Sequence, residues 1–135
     1  MNDIKPILIA EDDAVDIMTI KRAFKQLGVL NELAVAGNGE EVISYLENPE
    51  LQLPCVIILD INMPKMNGLE CLKILKKDFL YKNIPVFMLS SSSEQNDVDS
   101  SFNRGIAGYI LKEVEYEGFL DSIKVLNSHW TLQKA

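Results

Sequence analysis

Residues 55–60 read Cys-Val-Ile-Ile-Leu-Asp, and residues 6–10 read Pro-Ile-Leu-Ile-Ala. Neither run alternates apolar with polar side chains. A strand that is apolar at every position has both faces covered, as happens in a parallel sheet with helices packed on each side. Both runs are strand-sized, and both stop at an acid, Asp60 in one case and Glu11 in the other.

Outward from these two, the chain alternates five short apolar runs with five helix-like segments, the signature of a doubly wound α/β fold. The pattern predicts strands over Pro6–Ala10, Glu32–Ala36, Val56–Asp60, Pro85–Leu89 and Gly108–Leu111. Between the first two, Ile17, Ile20, Phe24 and Leu27 recur at steps of three and four, on a helix that Gly28 ends. Asn38-Gly39 turns the chain into a second helix carrying Val42, Ile43 and Leu46. A third is expected from about Gly68 to Asp78 through Leu69, Leu72 and Leu75, and a fourth from about Glu94 to Asn103 through Val98 and Phe102. The last, near Tyr116–Trp130, places Leu120, Ile123 and Leu126 on its apolar side.

With 135 residues, 13 cations against 20 anions and a net charge of −7, residues 1–135 are expected to form one domain with one core. Any output module would then be another protein. Scattered Lys and Arg on an acidic chain argue against direct nucleic-acid binding and against anionic membrane surfaces. No apolar run approaches a membrane span, and Asp3 sits within a short apolar amino-terminal stretch that makes a poor secretory signal, so a cytoplasmic location is expected. Cys55 and Cys71 lack CxxC spacing and have only His129 to help them hold a metal, so they are read as buried free thiols and zinc is not expected.

In an open parallel sheet, ligands bind beyond the carboxyl ends of the strands, where the strand order reverses. The first expected strand is followed by Glu11 and Asp12, the third ends in Asp60, the fourth runs into Ser90, and the fifth is followed by Lys112. In a five-stranded order 2-1-3-4-5, strands one and three are neighbours at the switch point. Glu11, Asp12 and Asp60 then share one shallow cleft, flanked by Ser90 and Lys112. Carboxylates 4 Å apart repel by about 4 kcal/mol per pair at an effective dielectric near 20, so a positive charge must sit among them or protonation must relieve them. Lys112 supplies one charge. A divalent cation would supply the rest, and few protein oxygens with several waters suit Mg²⁺ better than Ca²⁺. Each residue also has a plainer role: acids after strands cap helices, and so does a serine such as Ser90. Their joint placement on one edge is what points to a site. A carboxylate beside a metal, a lysine and a hydroxyl is a nucleophile towards phosphorus, and Asp60 is the central one. The product is an acyl phosphate.

These residues fall in motifs: Ile9-Ala10-Glu11-Asp12-Asp13, then Leu59-Asp60-Ile61-Asn62-Met63-Pro64 with Gly68 following, Pro85-Val86-Phe87-Met88-Leu89-Ser90, and Gly105-Ile106-Ala107-Gly108-Tyr109-Ile110-Leu111-Lys112. In this order and spacing the chain resembles a response-regulator receiver domain of two-component signalling, with its flavodoxin-like (βα)5 fold. The resemblance covers Ile7 to about Trp130. It implies that Asp60 is the phosphoacceptor, that Glu11 and Asp12 hold Mg²⁺ with Asp60 and the backbone carbonyl of Asn62, and that Lys112 contacts the phosphoryl group. It also implies that Ser90 and Tyr109 form a switch pair, the alternative for Tyr109 read alone being a plain core aromatic. On the same ground the chain is expected to be a signalling switch, catalysing only its own phosphoryl transfer and loss. A sensor histidine kinase or phosphotransfer protein would act upstream, and a target protein or a second copy of the chain downstream.

Most of the family has proline after the lysine, often across a cis bond, whereas Glu113 follows Lys112 here. A non-proline cis bond costs roughly 3 kcal/mol, so a trans bond and a different loop are expected. With the serine run Ser90–Ser93 and the terminal His129-Trp130, this departure is similar to single-domain regulators associated with bacterial phytochromes. Trp130 could anchor a partner or close the core under the last helix. Three other functions compete. A phosphatase of the haloacid-dehalogenase kind needs a second Asp where Asn62 stands. A flavin or nucleotide module needs a phosphate-gripping loop where Glu11-Asp12-Asp13 would repel one. A receiver that is never phosphorylated would not need the intact acid set.

Overall fold

The structure, a computed structural model, describes residues 4–91, 95–112 and 115–129. The elements run β1 (Ile7–Ala10), α1 (Ala14–Gln26), β2 (Leu33–Ala36), α2 (Gly39–Glu47), β3 (Val56–Asp60), α3 (Gly68–Lys77), β4 (Val86–Ser90), α4 (Gln95–Asn103), β5 (Gly108–Leu111) and α5 (Tyr116–His129). The strands form one sheet in the order β2-β1-β3-β4-β5, with every neighbouring pair parallel. This is the doubly wound arrangement expected from the sequence. Three strands start one residue later than predicted. Pro6 and Pro85 have no N–H to give a ladder and serve instead as acceptors, for Cys55 and Ile57 respectively. β4 runs on through Ser90, which pairs with Leu111 of β5.

Alternation along the strands sends side chains to two cores. Ile7, Ile9, Ile58, Phe87, Leu89 and Ile110 meet Ile20, Ala23 and Phe24 of α1 and Phe119, Leu120, Ile123 and Leu126 of α5. On the other face, Leu8, Ile57, Leu59, Val86 and Met88 meet Val42 and Leu46 of α2 and Cys71, Leu72 and Leu75 of α3. Cys71 is buried as expected, but Cys55 is only half-buried, because it precedes β3 at the edge of the core.

The helix starts are set by local chemistry. Asp13 accepts from the N–H groups of Val15 and Asp16 at 2.8 and 3.1 Å, capping α1. Asn67 and Glu70 form a reciprocal capping box at the start of α3. Gly68 packs directly on the end of β3: an added Cβ would overlap the Asp60 carbonyl oxygen and lie 2.8 Å from its carbon. The expectations for Ser92, Ser93, Glu94, Glu113 and Trp130 fall outside the described residues, as do those for the side chains of Phe102 and His129.

Candidate functional site

The parallel register brings four strand ends together. Ala10 pairs with Leu59, so Glu11 follows β1 at the level where Asp60 ends β3. Asp60 pairs with Leu89, placing Ser90 one residue further along β4, and the Lys112 N–H donates to the Ser90 carbonyl at 2.8 Å. The hydrophobic strands exist to be buried, and their ends carry this chemistry to one edge.

Glu11, Asp12 and Asp60 each present a carboxylate oxygen, all lying within 4.8 Å of one another. Glu11 and Asp60 are each 1% exposed, whereas Asp12 is exposed. Glu11 Oε1 accepts from the N–H groups of Asp12 and Asp13, both at 3.1 Å. Asp60 Oδ1 accepts from the Asn62 N–H at 3.1 Å. Lys112 bridges the group: its Nζ lies 2.7 Å from Glu11 Oε2, 2.9 Å from Asp60 Oδ2 and 2.9 Å from Asp16 Oδ2.

The charges answer this geometry. Burial pushes the Glu11 carboxyl up to about 7, against the opposing pull of Lys112 and the Asp13 N–H, with Asp60 adding to the rise. Burial alone would lower Lys112, yet its three carboxylate partners outweigh that and raise it above the ordinary lysine range. Glu11 Oε2 is the atom least provided for. It lies 2.7 Å from the Lys112 ammonium as an ion pair and has no hydrogen-bond partner among the described residues. A buried carboxylate oxygen paired only with Lys112, beside two further carboxylates, belongs to a hard-oxygen donor set that fits a divalent cation of the Mg²⁺, Ca²⁺ or Mn²⁺ type.

Of the residues read from the sequence, Glu11, Asp12, Asp60 and Lys112 are brought together directly, and Asn62 joins through its N–H. Ser90 is fully buried within β4. Tyr109 is half-buried, pairs with Met88 across the β4–β5 ladder and packs on the core shared with α2 and α3. Val86, Met88 and Ser90 alternate along one face of the sheet, and Tyr109 packs on that same face. Asp16 is the residue the sequence reading missed. It stands four residues before the buried Ile20 on α1, so extending the apolar stripe back one turn would have shown an acid facing the sheet.

A parallel 2-1-3-4-5 sheet with clustered carboxylates and a lysine at its switch point is a doubly wound α/β domain with an acidic site at the carboxyl ends of its strands. Residues 7–124 match the response regulator receiver domain family, and the chain belongs to that family. Receiver domains of this kind are signalling switches in two-component systems. The chain is similar to the phosphorylated cyanobacterial phytochrome response regulator RcpA, at 30% identity over 98% of this chain and 97% of that one, with a TM-score of 0.86. It is 28% identical to response regulator Rcp1 of Synechocystis sp., over 96% of this chain and 90% of that protein. The Mn²⁺-bound form of Rcp1 matches with a TM-score of 0.84. NarL, the nitrate/nitrite response regulator protein of Escherichia coli, is 35% identical over 87% of this chain, which spans 52% of NarL. Among the described residues no helix is long and apolar enough to cross a membrane.

Proposed function

We propose that this receiver is a phosphoryl-accepting switch with Asp60 as its acceptor. The observation that carries the reading is the seat of the Asp60 carboxylate: buried, ion-paired to Lys112 at 2.9 Å and clustered with Glu11 and Asp12. An Asp60 oxygen attacks phosphorus, the new O–P bond forms as the donor's bond to phosphorus breaks, and the donor departs with that electron pair. Glu11, Asp12 and Asp60, with the backbone carbonyl of Asn62, would hold Mg²⁺. That ion, when bound, neutralises charge on the phosphoryl oxygens. Lys112 gives a phosphoryl oxygen one of its N–H groups in place of a carboxylate. The phosphorylated form of RcpA and the Mn²⁺-bound form of Rcp1 support both halves of this reading.

The phosphoryl group adds about −1.5 to −2 charge and three strong acceptors. Ser90 answers it with its hydroxyl, and Tyr109, on the same face of the sheet, turns in response. A shift from 1:99 to 99:1 needs about 5.5 kcal/mol, so several contacts must change together. Within residues 1–135 we place one receiver domain, working in the cytoplasm rather than as a turnover enzyme. A sensor histidine kinase, of the phytochrome-related kind, or a phosphotransfer protein loads it; a target protein or a second copy reads it.

Intact-mass spectrometry after incubation with Mg²⁺ and acetyl phosphate tests this directly. The expected result is one added phosphoryl mass, lost with a chelator and in Asp60→Asn. An unmodified chain, or full modification of Asp60→Asn, refutes the assignment.

A further inference from the structure

Three carboxylates, those of Glu11, Asp16 and Asp60, lie 2.7 to 2.9 Å from the Lys112 ammonium, which has three N–H groups to share among them. Two of those partners, Glu11 and Asp60, belong to the cluster whose oxygens could share a cation, and Asp16 does not. Lys112 and a divalent cation therefore compete for the same two carboxylates, and a lysine displaced from both would be an unpaired charge that is only 18% exposed. Asp16 stands outside that competition. Its side chain is 33% exposed, so its own charge is cheaply kept in water. Beside the pair, a cleft of about 290 Å³ between α1 and α5, lined by Asp16, Arg22, Leu89, Lys112, Tyr116 and Phe119, leaves the lysine room to swing, with Arg22 held over the Tyr116 ring at 4.0 Å.

We infer that Asp16 is a positioning residue that retains Lys112 when Glu11 and Asp60 turn to a divalent cation. It keeps the ammonium beside Asp60 without letting it oppose the cation. The inference rests on the cation-binding reading above and adds a residue to it. Without Asp16, the lysine stays on Glu11 and Asp60 and resists cation entry; with it, the lysine has somewhere to go.

Mg²⁺ affinity by calorimetry, read through a double-mutant cycle, tests the role. Asp16→Ala is expected to weaken Mg²⁺ binding on the order of tenfold with Lys112 present, and by roughly threefold or less in Lys112→Met, where only the bare charge is lost. Asp16→Glu should restore most of the affinity, and Asp16→Asn, which keeps the shape without the charge, should behave like Asp16→Ala. A second readout follows the ammonium itself. At saturating Mg²⁺, acetylation of Lys112 by a water-soluble ester, scaled to the exposed Lys124, should be several-fold faster in Asp16→Ala than in the unaltered chain. Equal losses of affinity in both backgrounds, or equal labelling, on a chain that binds Mg²⁺ would overturn the role of Asp16 alone. Failure of the unaltered chain to bind Mg²⁺ would remove the cation-binding reading and this inference together.

Discussion

Gly68→Ala is expected to be among the most damaging single-methyl additions to this fold. Gly68 opens α3 directly against the end of β3, with its N–H donating to the Ile61 carbonyl at 2.9 Å. The new Cβ would overlap the Asp60 carbonyl oxygen and sit 2.8 Å from its carbon and 2.9 Å from Ile61 Cα, where ordinary contact begins near 3.4 Å. All three obstacles are backbone, so no rotamer change relieves them, and either α3 or the end of β3 must shift. Overpacking costs about 1–3 kcal/mol, and a collision with two fixed peptide units belongs at the top of that range. For a domain of this size, about 3 kcal/mol lowers the melting temperature by roughly 10 °C. Gly37→Ala is the control. Its Cβ would meet only the Glu41 carboxylate, at 3.4 Å, so a change within about 1 kcal/mol is expected. Thermal melts by circular dichroism decide the matter. If Gly68→Ala melts within a degree or two of the unaltered chain, the claim that this junction is held by backbone contact is wrong.

Lys112→Ala leaves Glu11 and Asp60 buried without their shared cation, and in chelator should cost about 3 kcal/mol, read as a lower urea midpoint that added Mg²⁺ partly recovers; an unchanged midpoint would show that the bridge contributes nothing to stability. Burial pushes the Cys71 thiol up to about 12 from its ordinary 9.0, so the unfolded chain loses this proton first and stability falls as pH rises between those values. Urea melts at pH 8 and pH 10.5 should show a steeper loss for the unaltered chain than for Cys71→Ala, and a thiol reagent at pH 8 should reach Cys71 only after unfolding. Asn67→Ala removes the α3 capping box and should destabilise by about 1 kcal/mol in the same melts, with Asn67→Ser recovering most of it.

The sheet was legible because its strands are apolar at consecutive positions, and a strand so composed has few places to go except between two helical layers. The residues that end those strands were legible as a set for the same reason: once β1 and β3 are neighbours, Glu11 and Asp60 have no choice but to meet. Reading failed where a role depends on a contact across the fold that local pattern does not encode. Ser90 reads as the residue after the fourth strand; here β4 takes one more residue, because Ser90 pairs with Leu111, and buries it. Asp16 is the instructive case. Asp13 and Asp16 lie within one turn of each other, and both are acids at a helix start, where the backbone N–H groups and the helix dipole welcome either. Asp13 turns back to the N–H groups and becomes the cap. Asp16, one turn above Ile20, is carried to the sheet side of α1, where the only partner of opposite charge it meets among the described residues is Lys112, the residue after β5. Composition gives both residues the same prior, and what separates them is the rotation of one helix against a lysine ninety-odd residues away in sequence. A single residue's shift in where α1 begins would turn Asp16 by about 100° and break that ion pair, so the cap at Asp13 fixes the partner of Lys112 as surely as it fixes the start of the helix.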